Sequence, residues 1–256
     1  MVSTLPMVLP TRLLLLILGS IYLLSPQQKI VVDALRPSEK SLFVVFGRPG
    51  SGKSTVANEA FGLLSREIQT RDISRSSSSS LNIECAALDL DVCVTQLMRD
   101  NFGKGMYPTL EERKVFALDA CDYVDGQLSE ICDAKENPPD SICAIVSFSF
   151  VNTDLREIFR TRFPSAEWIL IDTTEEECTR RINAREGHFY KGEVSAEDTT
   201  TESSDESPVT KDDDKDNSDW KFAPVAFPHI VLDGLNSIED NANKVAEKIL
   251  KEIRSK

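Results

Sequence analysis

The chain has 256 residues, 41% hydrophobic and 28% charged, which is enough apolar content to bury a core and excludes global disorder. A formal net charge of -13 also excludes a protein that coats nucleic acid, because phosphate backbones demand clustered Lys and Arg. The charge is concentrated: residues 193–219 hold 11 acidic residues and 2 lysines, a local -9 that leaves -4 for the remainder.

In chain order, the first feature is an apolar run at residues 13–24, preceded by Arg12 and closed by Ser25 and Pro26. A bilayer-spanning helix takes about 20 apolar residues, so this run fits the core of a signal segment better than a span. Residues 1–25 are therefore expected to be a signal-like or anchor segment, directing the protein to an endomembrane or organelle compartment. The competing reading is an upstream extension of a cytoplasmic protein. Any membrane association would run through this segment alone. Residues 26–40 are polar and contain Pro37, as a linker does.

From residue 41 the pattern changes. Short continuous apolar runs at 42–46, 85–90, 142–146, 168–171 and 230–232 read as strands buried on both faces. Helical stretches alternate with them at 54–69, 92–102, 110–131, 153–162, 174–186 and 238–253. Ser237 with Asp240 forms a capping pair before the last of these. Alternating strands and helices predict right-handed crossovers and one α/β domain over residues 41–256. A serine run at 76–80 reads as a loop, and residues 194–218 are expected to form a disordered acidic insertion. Six cysteines without a C-x-x-C pair, and only two histidines, argue for packed thiols rather than a zinc site.

The sharpest motif follows the first strand. Gly47-Arg48-Pro49-Gly50-Ser51-Gly52-Lys53-Ser54-Thr55 satisfies G-x-x-x-x-G-K-[ST], with a buried strand before it and a helix after it. Glycines at 47, 50 and 52 let main-chain N–H groups turn inward around a phosphate at a helix N-terminus. Lys53 reaches the β- and γ-phosphates, Ser54 holds Mg²⁺, and Ser51 and Thr55 complete the cradle. The expected cofactors are ATP and Mg²⁺.

No guanine-reading Asn-Lys-x-Asp occurs, and the strand at 142–146 runs into Ser147-Phe148-Ser149 rather than Asp-Glu. The acidic pair lies instead after the second strand, as Asp89-Leu90-Asp91. Two residues apart on a strand, both carboxylates would share one face at the strand's C-terminal end, where α/β ligands bind. The competing reading makes one aspartate a cap for the next helix.

Beyond these motifs, the sequence resembles the gluconokinases and, more distantly, the shikimate kinases. The segment from Gly105 through Tyr107-Pro108 to Arg113 is similar to the gluconokinase G-x-P-L-[TN]-D-x-D-R. Phe148-Ser149-Phe150 with Leu155-Arg156 is similar to C-S-A-L-K-x-x-Y-R. Arg181-Ile182-Asn183-Ala184-Arg185-Glu186-Gly187-His188-Phe189 is similar to the lid motif R-L-x-x-R-x-G-H-F. After Lys191 the family's lid continuation is replaced by the acidic insertion.

The resemblance implies a P-loop nucleoside-triphosphate kinase fold: a parallel five-stranded sheet with helices on both faces and a mobile lid. It implies transfer of the ATP γ-phosphoryl group to a small sugar acid, gluconate first, with a shikimate- or nucleoside-type acceptor or a non-catalytic ATP-binding protein as alternatives. In that scheme Asp91 orients the acceptor hydroxyl and takes its proton, and Asp89 supports the metal through water. Arg156 and Arg113 bind the acceptor carboxylate, and His188 donates to substrate. Arg181 and Arg185, four apart on one helix face, reach the phosphates; their competing role is ion pairing with Glu175–Glu177.

Overall fold

The computed structural model describes residues 39–74, 82–134, 137–185 and 221–255. The signal-like segment, most of the linker, the serine run, the acidic insertion, the expected lid and His188 lie outside them.

Five strands form one parallel sheet: β1 (Glu39–Phe46), β2 (Ile83–Asp89), β3 (Ser141–Phe148), β4 (Glu167–Asp172) and β5 (Ile230–Asp233). Their spatial order is β2-β3-β1-β4-β5, with β1 central and paired in parallel with both β3 and β4. Every strand run expected from the sequence is present, and β1 begins at Glu39, three residues before the expected run. The helices are α1 (Lys53–Ser74), α2 (Gln96–Phe102), α3 (Leu110–Asp133), α4 (Thr153–Arg162), α5 (Glu175–Asn183) and α6 (Ile238–Ser255).

Side chains of β1 alternate between two cores, as the two-residue strand period requires. Leu42, Val44 and Phe46 face α3 and α4, meeting Phe116, Val124 and Phe159. Phe43 and Val45 face α1 and α6, meeting Val56, Leu64 and Ile249. Burial on both faces is why this strand reads as an unbroken apolar run.

Local signals set the helix starts. Thr109 caps α3 in a reciprocal box with Glu112: its side chain accepts the Glu112 N–H while the Glu112 carboxylate accepts the Thr109 N–H at 2.7 Å. Ser237 accepts the Asp240 N–H at 3.0 Å ahead of α6, as the capping pair predicts.

Two expected helices are corrected. The stretch 92–102 is broken into a short 3₁₀ turn, Leu90–Cys93, and α2, because Thr95 adopts an extended conformation and caps α2 through the Met98 N–H. The stretch 174–186 stops at Asn183, where Ala184 closes α5, so Arg185 lies beyond the helix.

Candidate active site

Main-chain geometry comes first. Between β1 and α1 the chain turns on Gly50 and Gly52, at φ +82° and +93°, a region that L side chains rarely adopt. A Cβ on Gly50 would also sit 2.6 Å from the Cys178 carbonyl and 2.9 Å from Ile182, so α5 packs directly against this turn. Ser51 donates its N–H to the Arg48 carbonyl at 3.1 Å, and Val56 donates to Gly52 at 3.0 Å, fusing the turn to α1.

Lys53 at the head of α1 is 8% exposed. Burial pushes its ammonium below the ordinary lysine value, and the carboxylates of Asp91 and Asp89 oppose that push. The Ser51 hydroxyl is 1% exposed at the residue level and has no hydrogen-bond partner among the described residues. A buried polar group without a partner, beside a buried cation and the inward-turned amides, fits an incoming phosphate.

Ser54 follows Lys53, and its Oγ accepts a hydrogen bond from Ser147 Oγ at 3.3 Å. Ser147 is the penultimate residue of β3, next to β1, and is 2% exposed. Thr55 is exposed on the first turn of α1. The sequence marks Ser147 only as the place where an acidic strand end is missing; strand adjacency is what turns it toward Ser54.

The acidic pair is arranged differently from the expectation. β2 stops at Asp89, whose Oδ1 accepts the Asp91 N–H at 3.1 Å and so caps the turn that carries Asp91. The two carboxylates therefore do not share a strand face, although both act on Lys53. Arg99 holds the same turn by donating to the main-chain carbonyls of Asp91 and Val94. Asp91 is thereby fixed at the wall of a cleft that also receives Lys53, Ser54, Arg113, Arg185 and Ser149. The cleft is open on one side, with about 790 Å³ of non-atom space that includes bulk solvent.

Arg113 enters the cleft on a rigid mount. Its Nε donates to Asp154 at 2.9 Å and its Nη1 to the Pro108 carbonyl at 2.9 Å, and Nη2 takes part in neither bond.

Arg156 is not brought into the cleft. It is 1% exposed, and its guanidinium donates to the carbonyls of Phe150 (2.7 Å), Val151 (3.2 Å), Ala223 (2.8 Å) and Pro224 (3.0 Å). It also lies 4.6 Å over the Phe222 ring. Burial alone lowers its pKa to about 10. A guanidinium committed to four carbonyls has no fork left for an acceptor carboxylate, which corrects the role the resemblance implies.

Arg181 and Arg185 separate as well. Arg181 donates to Glu177 (2.6 Å), to the Ser51 carbonyl (3.2 Å) and to the Gly234 carbonyl (2.9 Å). It braces the phosphate-loop turn from outside, with the ion pair of the competing reading in place. Arg185 is exposed, faces the cleft and carries its charge toward Lys53.

The brace has a pH signature. Hydrogen bonds from Arg180 and then Arg181 hold the Glu177 carboxyl at about 2, below the ordinary glutamate range. A carboxyl depressed on folding contributes stability above its ordinary range and loses it as pH falls toward its folded value. Wild type should therefore melt above Glu177→Gln at about pH 6, and the gap should narrow below about pH 4.5 and close as pH approaches about 2. A gap independent of pH would remove the ion pair from the account.

No protein-family model matches this chain, and no curated protein matches it. Solved structures do. An unliganded sugar kinase from Janibacter sp. HTCC2649 aligns over 84% of this chain and 95% of its own, at 18% identity and a TM-score of 0.50. The Mycobacterium tuberculosis APS kinase CysC, in complex with AMPPNP and APS, aligns over 84% and 99%, at 15% identity and a TM-score of 0.48. A gluconokinase from Sinorhizobium meliloti 1021 aligns over 85% and 99%, at 14% identity and a TM-score of 0.45. At 18% identity and a TM-score of 0.50 the likeness to the sugar kinase is one of fold.

Proposed function

We propose that this P-loop kinase fold carries an ATP-dependent phosphotransferase whose acceptor is a hydroxyl group of a small acid. The observation that carries the reading is the convergence of Lys53, Ser54 and Asp91 on one cleft that Arg113 and Arg185 also enter. The sequence resemblance makes gluconate the first acceptor to test.

When bound, ATP supplies the transferable phosphoryl group and Mg²⁺ offsets its charge. The chain supplies position and field, which is most of what such transfer requires. The amides of residues 50–54 and the Lys53 ammonium hold phosphate oxygens, with the Ser51 hydroxyl as a further donor. Ser54 offers its oxygen to the metal, and the Ser147 hydroxyl fixes its rotamer. Asp89 adds a carboxylate at water-mediated reach while holding Asp91 in place. Asp91 orients the acceptor hydroxyl and takes its proton as the new P–O bond forms. Arg185 answers the charge that develops on the phosphoryl oxygens, and Arg113 anchors the acid group of the acceptor. Arg181 contributes by keeping the loop in shape.

ADP release from purified protein, Mg²⁺ and ATP tests this across gluconate, shikimate and nucleosides. Acceptor-stimulated release that disappears in Lys53→Ala supports the reading. Tight ATP binding with no acceptor raising turnover would instead support a non-catalytic ATP-binding protein.

A further inference from the structure

Lys53 and Ser54 mark the phosphate side of the cleft, and the acceptor side sets a few polar groups around an apolar wall. Beyond Asp91 the wall is built from Met98 and Phe102 of α2, Phe116 of α3, Phe148 at the end of β3, and Val151 and Leu155 around the start of α4. Phe116 and Phe148 pack together with ring centroids 4.9 Å apart, so these two rings form one apolar face. Among the described residues, the polar side chains on this half of the cleft are Asp91 at one side, Ser149, and the two guanidiniums of Arg113 and Arg185.

A polyhydroxy acid fits this wall badly. Each hydroxyl it brings out of water needs a partner, and an aromatic or aliphatic wall provides none. An apolar body, by contrast, gains from covering the same surface. The ends of the acceptor are also defined: one hydroxyl at Asp91, and one anionic group where the rigidly mounted Arg113 presents the part of its fork not engaged by Asp154 and Pro108.

We infer that the acceptor is a hydroxy acid with an apolar, ring-like body rather than a polyol such as gluconate. This rests on the kinase reading above and narrows its acceptor. The balance of the step is unchanged: the acceptor oxygen gains the phosphoryl group, ADP leaves, and the hydroxyl proton passes to Asp91.

The test compares gluconate with 4-(hydroxymethyl)benzoate, which carries a primary alcohol and a carboxylate on opposite ends of a ring, and with benzyl alcohol, which lacks the carboxylate. Binding is read by calorimetry with a non-hydrolysable ATP analogue present, and turnover by ADP release with ATP. The ring acid should bind and turn over at least about tenfold better than gluconate, the discrimination that a single apolar contact difference supplies. Benzyl alcohol should fall below the ring acid, and Arg113→Met should abolish that difference. Met98→Gln, on the half-buried part of the wall, should shift the preference toward gluconate at an unchanged melting temperature. A preference of the wild type for gluconate, or equal use of the two acids, would overturn the inference and leave the kinase reading standing. ATP binding with no turnover on any of the three would overturn the kinase reading, and with it the inference.

Discussion

Asp91→Asn should lower kcat by about 10²–10⁴ while ATP binding and melting temperature stay near wild type, the range that a positioned general base supplies. The side chain keeps its shape and loses only its charge and basicity, and the turn that carries it stays in place, because Asp89 caps the main-chain N–H of residue 91 and Arg99 holds its carbonyl. Steady-state rates at saturating ATP, with denaturation melts on the same samples, check both halves. Asp89 separates capping from charge. Asn caps as well as Asp, so Asp89→Asn should preserve stability and raise the Mg²⁺ concentration needed for half-maximal rate. Asp89→Ala should in addition lose about 1 kcal/mol of stability with the cap. An Asp91→Asn protein that turns over at the wild-type rate would remove proton acceptance from this residue.

Arg156→Met should be the most destabilising of the substitutions considered, by about 3 kcal/mol or more, read from denaturant melts. Losing the guanidinium strands the buried Phe150 carbonyl and takes a donor from those of Val151, Ala223 and Pro224, and a stranded group costs about 1–3 kcal/mol where water does not reach it. Phe150 adds to the case. It holds a left-handed conformation at φ +45°, which is costly for a bulky L residue, and packs its ring against Phe148, Phe159 and Trp168. The bond from Arg156 Nε to its carbonyl is part of what holds it there. Ser149 and Val151 flank that residue in the cleft wall, so activity should fall along with stability. An Arg156→Met protein of unchanged stability, with only a raised KM for the acceptor, would return this arginine to the substrate-binding role.

The sequence was most legible where one physical cause dominates. Double-sided burial writes itself as unbroken apolar runs in β1, β3 and β4, whereas the edge strands β2 and β5, also present where the runs place them, are only partly buried. The phosphate loop is equally plain, because its conformations admit little besides glycine and its charge requires the lysine. Legibility ends where a residue type serves two chemistries. Arginines at 113, 156, 181 and 185 are equivalent as letters. Only the fold shows that 156 and 181 are committed to carbonyls and a glutamate, whereas 113 and 185 enter the cleft. Asp89 likewise reads as a second carboxylate on a strand face until the strand is seen to stop there and the side chain to turn back as a cap. The apolar acceptor wall was dispersed over four elements and a loop, and nothing in their spacing joins Met98 to Phe148.

The segment that follows residue 220 is secured by more than its covalent connection. Phe222 lies between two guanidiniums, with Arg48 of the phosphate loop 5.1 Å and Arg156 4.6 Å from its ring centre. Ala223 donates its N–H to the Val151 carbonyl at 2.9 Å, β5 pairs with β4, and α6 shares a core with α1. Those noncovalent ties fasten the C-terminal portion to the rest of the domain independently of the covalent connection. A chain cut within residues 194–218 should therefore stay together as two pieces on gel filtration.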